Sequence, residues 1–173
     1  MAITVVANPV TLSWSDYASQ RVVIDPADGT AQDAFTAFNY DLPDLPPRVV
    51  GGQYALAETM HLTITPVALV RSGARQGAEL LSHEQLHYDV GVAIARVVAR
   101  ELSLLRAPSL SVLGAALNQV VQLHFHRRAG LIQRRYDLDT AHGTNHHYQH
   151  AWKRGMRHCL SHSHSHHLMG FWL

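Results

Sequence analysis

Two histidines and a glutamate near the middle of the chain have the spacing of a metal-binding helix. His83 and His87 are four residues apart in a segment whose apolar residues recur at helical spacing. On an α-helix such a pair lies about 40° apart in azimuth and one turn apart in height, so both imidazoles can reach one ion. Glu84 lies beside them and can take a proton from water on that ion, as in the H-E-x-x-H arrangement. In a chain of this composition, roughly 0.03 matches to H-E-x-x-H are expected by chance. Because a chance match is this rare, the pattern predicts a zinc site.

A zinc peptidase site needs a third protein ligand and keeps the fourth position for water. Ala93 stands where the extended form of the motif has its third histidine, so that form is excluded. Glu101 lies 14 residues beyond His87, which is about 21 Å along the helix and out of reach. No later glutamate exists, so the third ligand is a histidine or an aspartate: His124, His126, Asp137, Asp139, His142 or a later histidine.

We favour His142 as the third ligand, with Asp139 as the alternative. His142 belongs to a polar break after the second predicted helix, where a loop can fold back over the first helix. His124 and His126 fall among apolar residues in the middle of that second helix, which favours packed or surface histidines there.

Three further side chains at this break have candidate roles. Tyr136 is a candidate donor of a hydrogen bond to the developing oxyanion. A structural role, as a tyrosine buried in the core or at a helix end, explains it slightly better. Asp137 or Asp139 is expected to orient a metal-binding imidazole through a hydrogen bond to the ring nitrogen that faces away from the metal. For either residue, an ordinary position at the start of a loop is an equally good explanation. The predicted catalytic residues are therefore Glu84 and Tyr136.

The elements that position these residues predict an α+β fold. Short β-favouring runs fill the N-terminal half, at residues 3–7, 10–14, 21–24, 35–40 and 60–70. Helical patterns without proline follow at residues 76–106 and 109–135, and a shorter helix is expected to end near residue 158. We predict one zincin-like domain over residues 1–158, with a strand-rich N-terminal half, the long H-E-x-x-H helix and further helices. Residues 159–173 are predicted to form a tail rich in histidine and serine.

Charge and composition argue against several classes of protein. The chain has 14 Lys and Arg against 13 Asp and Glu, a formal charge of +1, which argues against a dedicated nucleic-acid binder. We find no apolar run long enough to span a bilayer and no export signal in residues 1–8. The single cysteine, Cys159, excludes a disulfide framework within the chain and leaves the compartment open.

Histidines are concentrated towards the C-terminus, where nine of the 14 lie at or after His142. A second metal site there is a further hypothesis, and a solvated polar tail is the simpler interpretation. The histidines that it would use are His142, His146, His147, His150, His162, His164, His166 and His167. The main alternative to catalysis is therefore a non-catalytic histidine-rich protein that stores or senses metal.

Four motifs, in order along the chain, resemble those of one bacterial family. Residues 12–17 are similar to its L-T-W-x-D-F element, residues 73–89 to its G-A-x(4)-L-L-x-H-E-Q-x-H-F-D core, and residues 136–143 to its Y-D-x-x-T-x-H-G element. Gln149 and Trp152 resemble the Q-x-x-W that follows. This family of unknown function is described as predicted secreted zinc-dependent proteases. The resemblance, over about residues 10–155, implies zinc peptidase activity and a secreted or periplasmic location.

These observations predict a zinc-dependent metallopeptidase. His83, His87 and His142 are the expected zinc ligands, and Glu84 is the expected general base. The expected partner is a peptide or protein substrate, with no nucleic acid and no membrane insertion. The cleavage preference and the oligomeric state stay open.

Overall fold

The computed structural model describes residues 2–42, 46–57, 59–162, 165 and 167–173. Its N-terminal half is rich in strands and its C-terminal half in helices, which confirms the α+β expectation. The strands are β1 (Ala2–Ala7), β2 (Ala18–Gln20), β3 (Val23–Ile24), β4 (Ala31–Gln32), β5 (Ala34–Asp41), β6 (Arg48–Val50), β7 (Gln53–Ala55), β8 (Thr59–Arg71), β9 (His167–Leu168) and β10 (Phe171–Trp172). The helices are α1 (Ala78–Leu104), α2 (Leu110–Val121), α3 (Ala129–Thr140) and α4 (His146–Ser161).

The main sheet is organised around the long strand β8. β1 and β2 pair with β8 in parallel near its beginning and its end, whereas β5 pairs with it antiparallel. Residues 63–64 of β8 pair with both β1 and β5, so β5 lies on the opposite side of β8 from β1. Alternation along β8 buries Met60, Leu62 and Ile64 in the core, as the sequence pattern predicted.

α1 is the central element of the core. It packs against β1, β5 and β8 and also against α3 and α4. Buried apolar or small residues therefore occupy nearly its whole circumference between Val90 and Ala99. Although α1 has 27 residues, neither it nor another described helix is both long and apolar enough to cross a membrane.

Gly91 lets α1 approach the sheet closely. A Cβ atom at this position would lie 2.4 Å from Cγ of the Phe38 ring on β5. That ring in turn packs against Phe125, with the two ring centroids 5.9 Å apart. The contact between α1 and β5 therefore has no room for a side chain at Gly91 unless the aromatic rings move.

The second predicted helix is confirmed as one long helical run. A π-helical stretch, Gln122–Arg128, joins α2 to α3, and the backbone is right-handed helical at both junctions. The run continues past the predicted end at residue 135 as far as Thr140. It stops there because Ala141 adopts a left-handed conformation, with φ 46°.

Residues 10–14 differ from the sequence interpretation, because they form no strand. Trp14–Asp16 instead make a single 3₁₀ turn. The Asp16 carboxylate accepts hydrogen bonds from the N–H and the hydroxyl of Ser13, and this local capping replaces strand pairing. Gln85 of α1 fixes the segment on the core by accepting a hydrogen bond from the Leu12 N–H at 2.7 Å.

The segment predicted as a tail is partly packed into the domain. α4 runs to Ser161, so the predicted boundary after residue 158 falls inside this helix. β9 and β10 pair antiparallel, and Leu168 and Leu173 are buried with the main core. Removal of these apolar side chains from water favours the packed arrangement over a solvated one.

Replacing Gly91 with alanine is expected to destabilise the protein, although alanine favours a helix by about 1 kcal/mol. The added methyl group would overlap the Phe38 ring, and overpacking of this kind costs about 1–3 kcal/mol. Gly114→Ala on α2 is the matched control, because nothing lies within 4 Å of a Cβ atom there. Urea unfolding should give a lower free energy of unfolding for Gly91→Ala only. An increase for both variants would contradict the close packing.

Candidate metal centre

The second and third turns of α1 carry the predicted histidine ligands and the predicted base. His83, Glu84 and His87 have only 3%, 3% and 8% of their surface exposed. Polar groups that are buried in this way are costly unless they find partners. The arrangement of the neighbouring side chains therefore decides what this turn of the helix can do.

Side-chain atoms of His83, His87 and Asp137 form a compact triangle. The two Nε2 atoms are 3.2 Å apart. Oδ1 of Asp137 lies 3.3 Å from Nε2 of His83 and 3.0 Å from Nε2 of His87. Two nitrogens and one carboxylate oxygen are all electron-pair donors, and they meet in a buried place. This group could hold a metal ion.

Asp137 takes the place in this cluster that the sequence interpretation gave to His142. Burial alone would raise the pKa of the Asp137 carboxyl, but its contacts with the imidazoles of His83 and His87 outweigh burial and hold this pKa well below its usual range. Burial likewise works against the charged form of His87, and the bond to Asp137 outweighs it and raises the His87 pKa. Asp137 is thus ionised at neutral pH, as a metal ligand must be.

His142 lies at the rim of the cluster. Its Nδ1 is 3.8 Å from Oδ1 of Asp137, and its side chain is 44% exposed. His142 is left-handed, with φ 52°, like Ala141 before it, and this bends the chain sharply after α3. A Cβ atom on Gly143 would lie 3.1 Å from the His83 ring, so the loop folds back onto α1. Ligation by His142 stays a prediction.

Asp139, the alternative third ligand, is bonded to other residues. One carboxylate oxygen accepts the indole N–H of Trp152 at 3.0 Å. The other accepts Nε–H of Arg135 at 2.7 Å. Because Trp152 belongs to α4, Asp139 connects α3 to α4 and does not join the described cluster.

Tyr136, the predicted donor to the oxyanion, packs against His83, and the oxyanion role stays a prediction. Its side chain is completely buried, and its ring stacks on the His83 imidazole with centroids 4.7 Å apart. Burial raises the pKa of its hydroxyl. That hydroxyl is within hydrogen-bond distance of Gln149 and of the His83 carbonyl oxygen. These contacts fit a residue that positions His83.

Gln149 is the site residue that spacing arguments missed. It is 6% exposed, and its Oε1 lies 3.2 Å from Nδ1 of His83. Gln149 thus contacts Nδ1 of the His83 imidazole, a position in which Asp137 or Asp139 was expected. The Q-x-x-W motif in the family resemblance was the one sequence signal for it.

Glu84 lies on a cleft beside the cluster. One carboxylate oxygen, Oε2, is buried and has no hydrogen-bond partner among the described residues. The cleft has a volume of about 870 Å³ and is also lined by His83, His87, Asp137 and His142. A general base needs an oxygen whose lone pair is free to accept a proton, and the unpartnered Oε2 has one.

The two mid-helix histidines have partners of their own. His124 is fully buried, with Nε2 3.0 Å from Oε1 of Glu101. His126 lines the cleft, and its Nε2 is 3.1 Å from the Tyr40 hydroxyl. Both lie in the π-helical stretch, and neither belongs to the metal-binding group.

Among the C-terminal histidines that the structure describes, no group of three or more could share a metal ion. Over all the described residues, His83, His87 and Asp137 are the one group of three or more whose ligand atoms could share an ion. His164 and His166, which were candidates for the second site, lie outside the described residues.

Comparisons with known proteins find no match for this chain. No family profile matches it, and neither a curated protein nor a solved structure does. The geometry of the cluster is therefore the basis for a functional assignment.

Asp137→Ala is expected to lower the affinity for zinc by at least about 100-fold, because it removes the one oxygen of the triangle. Asp139→Ala on the same helix is the control. It should lower the melting temperature, through the lost bond to Trp152, and leave the affinity nearly unchanged. His142→Ala reports whether His142 is also a ligand. Competition with a chromophoric chelator measures the affinity, and unchanged affinity in Asp137→Ala would contradict this centre.

Proposed function

We propose that this protein is a zinc-dependent metallopeptidase. The observation that carries the proposal is the buried, unpartnered Oε2 of Glu84, beside His83 and His87 on the wall of a cleft. A site that only stores metal has no use for a free carboxylate next to its ligands. Metal-assisted hydrolysis needs such a group as general base.

The donor set is one that zinc accepts in catalytic sites. Such sites use three protein ligands, drawn from histidine, carboxylate and cysteine, and leave a position open for water or substrate. His83 and His87 would bind through Nε2 and Asp137 through Oδ1, and His142 at the rim is a further candidate ligand. Bound zinc supplies a Lewis acid that activates water and polarises a peptide carbonyl.

Glu84 has the proton-transfer role in this proposal. Its Oε2 accepts a proton from the attacking water and later delivers it to the nitrogen of the leaving amine. Because Oε2 makes no hydrogen bond within the described residues, no partner has to be displaced before the proton is taken.

The cleft fits a short stretch of polypeptide, which is the proposed substrate. Residues 31–36, which include β4 and the start of β5, line it together with the first turns of α1 and one face of α3. Arg75, Arg134 and Glu79 also lie on its walls, so a substrate meets charges of both signs. A volume of about 870 Å³ is within the range of pockets that enclose small ligands and short peptides.

We also propose a zincin-like fold and membership of the bacterial family that the motifs resemble. The packing of the H-E-x-x-H helix on a mixed sheet supports the fold. The family's Y-D and Q-x-x-W motifs include Asp137 and Gln149, and both contact the histidines. Membership would carry with it a secreted or periplasmic location.

Metal storage or sensing is the second candidate, and one observation at the end of α4 favours it. His158 and His162 lie one turn apart, with ring centroids separated by 4.2 Å. Storage requires more than one ion per chain and is independent of Glu84. The peptidase proposal requires one catalytic ion and an intact Glu84.

Glu84→Gln is expected to slow casein cleavage by about 10²–10⁴-fold while zinc stays bound, because it removes the base and keeps the shape. Glu101→Gln is the matched control, since it is the same substitution on the same helix and Glu101 does not line the cleft. That control should cleave casein as the wild type does.

Cleavage by Glu84→Gln at the wild-type rate would contradict the peptidase proposal. Several zinc ions per chain with no cleavage by the wild type would favour storage. Zinc is counted by elemental analysis on the samples used for the assay.

A further inference from the structure

Three buried side chains behind the metal centre are joined in a ring of hydrogen bonds. Nδ1 of His83 lies 3.2 Å from Oε1 of Gln149. Nε2 of Gln149 lies 2.6 Å from the Tyr136 hydroxyl, and that hydroxyl lies 3.3 Å from the His83 carbonyl oxygen. The ring thus begins and ends on His83 and connects α1, α3 and α4.

We propose that Gln149 is a positioning residue that, with Tyr136, holds His83 in the tautomer protonated on Nδ1. This tautomer turns the lone pair of Nε2 towards His87 and Asp137, where a metal ion would bind. The inference rests on the proposed metal centre, and it adds that Gln149 holds His83 in the form that can bind the metal ion.

The direction of each bond follows from the groups involved. The amide nitrogen of Gln149 only donates, so the Tyr136 hydroxyl accepts from it and keeps its own proton to give to an oxygen. Oε1 of Gln149 only accepts, so its bond to His83 requires a proton on Nδ1. A neutral imidazole has one proton on its nitrogens, and Nε2 is therefore left as an acceptor.

A reversed Gln149 amide would disable this ligand. Its N–H would donate to Nδ1 of His83, and the imidazole proton would then sit on Nε2, the atom that lies 3.2 Å from Nε2 of His87. Tyr136 opposes the reversal. In the observed orientation this hydroxyl accepts from the amide nitrogen at 2.6 Å, and its proton is free for Oε1 of Gln149 at 2.9 Å or for the His83 carbonyl oxygen at 3.3 Å. With the carboxamide oxygen in the position of the nitrogen, the hydroxyl would have to give that oxygen its only proton and could not bond to the His83 carbonyl oxygen.

His87 has no comparable support on its far side. Its Nδ1 is buried and has no hydrogen-bond partner among the described residues. His83, in contrast, also has the Tyr136 ring stacked on it at an interplanar angle of 21°, which opposes rotation of the imidazole. Within the described cluster, His83 is thus the histidine whose tautomer is fixed by a hydrogen bond at Nδ1.

The experiment compares Gln149→Met and Gln149→Glu with the wild type, using the full chain. Nitrogen-15 NMR of the histidine rings, on metal-free protein at about pH 8, reports which nitrogen of His83 is protonated. Chelator competition gives the zinc affinity, and thermal unfolding reports the fold. Glutamate keeps an acceptor at Oε1, whereas methionine has a similar shape and no oxygen.

In the wild type we expect the proton on Nδ1 of His83. Gln149→Met should bind zinc about 10–100-fold more weakly and show the proton on Nε2. Gln149→Glu should keep the proton on Nδ1 and recover most of the affinity. A purely structural role for Gln149 would change the melting temperature without this rescue.

A wild-type His83 protonated on Nε2 would overturn the proposal. The proposal would also be overturned if the Gln149→Glu variant folds but binds zinc as weakly as Gln149→Met does. If Gln149→Met does not fold, the spectra of the wild type and Gln149→Glu still decide. If the wild type has the proton on Nδ1 and binds no zinc, the metal centre fails and the tautomer assignment stands.

Discussion

Three electron-pair donors held within 3.3 Å of one another in a buried place are the constraint on which this structure depends. Their lone pairs repel one another, and burial of such groups is costly unless a proton or a cation lies among them. The chain brings three helices together to meet this constraint. α1 provides the two imidazoles, α3 provides the carboxylate of Asp137, and α4 supports His83 through Gln149.

α1 can form the centre of this arrangement because its first turns are polar and line the cleft, whereas the rest of the helix is apolar and packed in the core. Its first turns carry polar side chains that line the cleft. From Val90 onwards it is apolar or small on nearly every side, and it is held between the sheet and the other helices. Gly91 permits a close approach to β5, so the helix that carries His83 and His87 is held against the sheet. Packing in the apolar half therefore fixes the geometry of the polar half.

The H-E-x-x-H residues could be predicted from the sequence because helical spacing depends only on residues that are near one another in the chain. The main strands and helices could be predicted because their patterns are local in the same way. The third member of the cluster depends on where α3 ends. Asp137 begins a polar run typical of a loop, yet the helix continues to Thr140, whose hydroxyl donates to the Tyr136 carbonyl. Gln149 depends on how three helices pack, which no periodicity encodes. The 3₁₀ turn and the C-terminal hairpin likewise depend on capping and burial.

The most direct test of the metal centre is an anomalous difference map at the zinc absorption edge, from crystals of the full chain grown with one equivalent of zinc. The account predicts one peak about 2.0–2.2 Å from Nε2 of His83, Nε2 of His87 and Oδ1 of Asp137. The same map shows whether His142 completes the ligand set. A peak among the C-terminal histidines, with none at the cluster, would contradict the account.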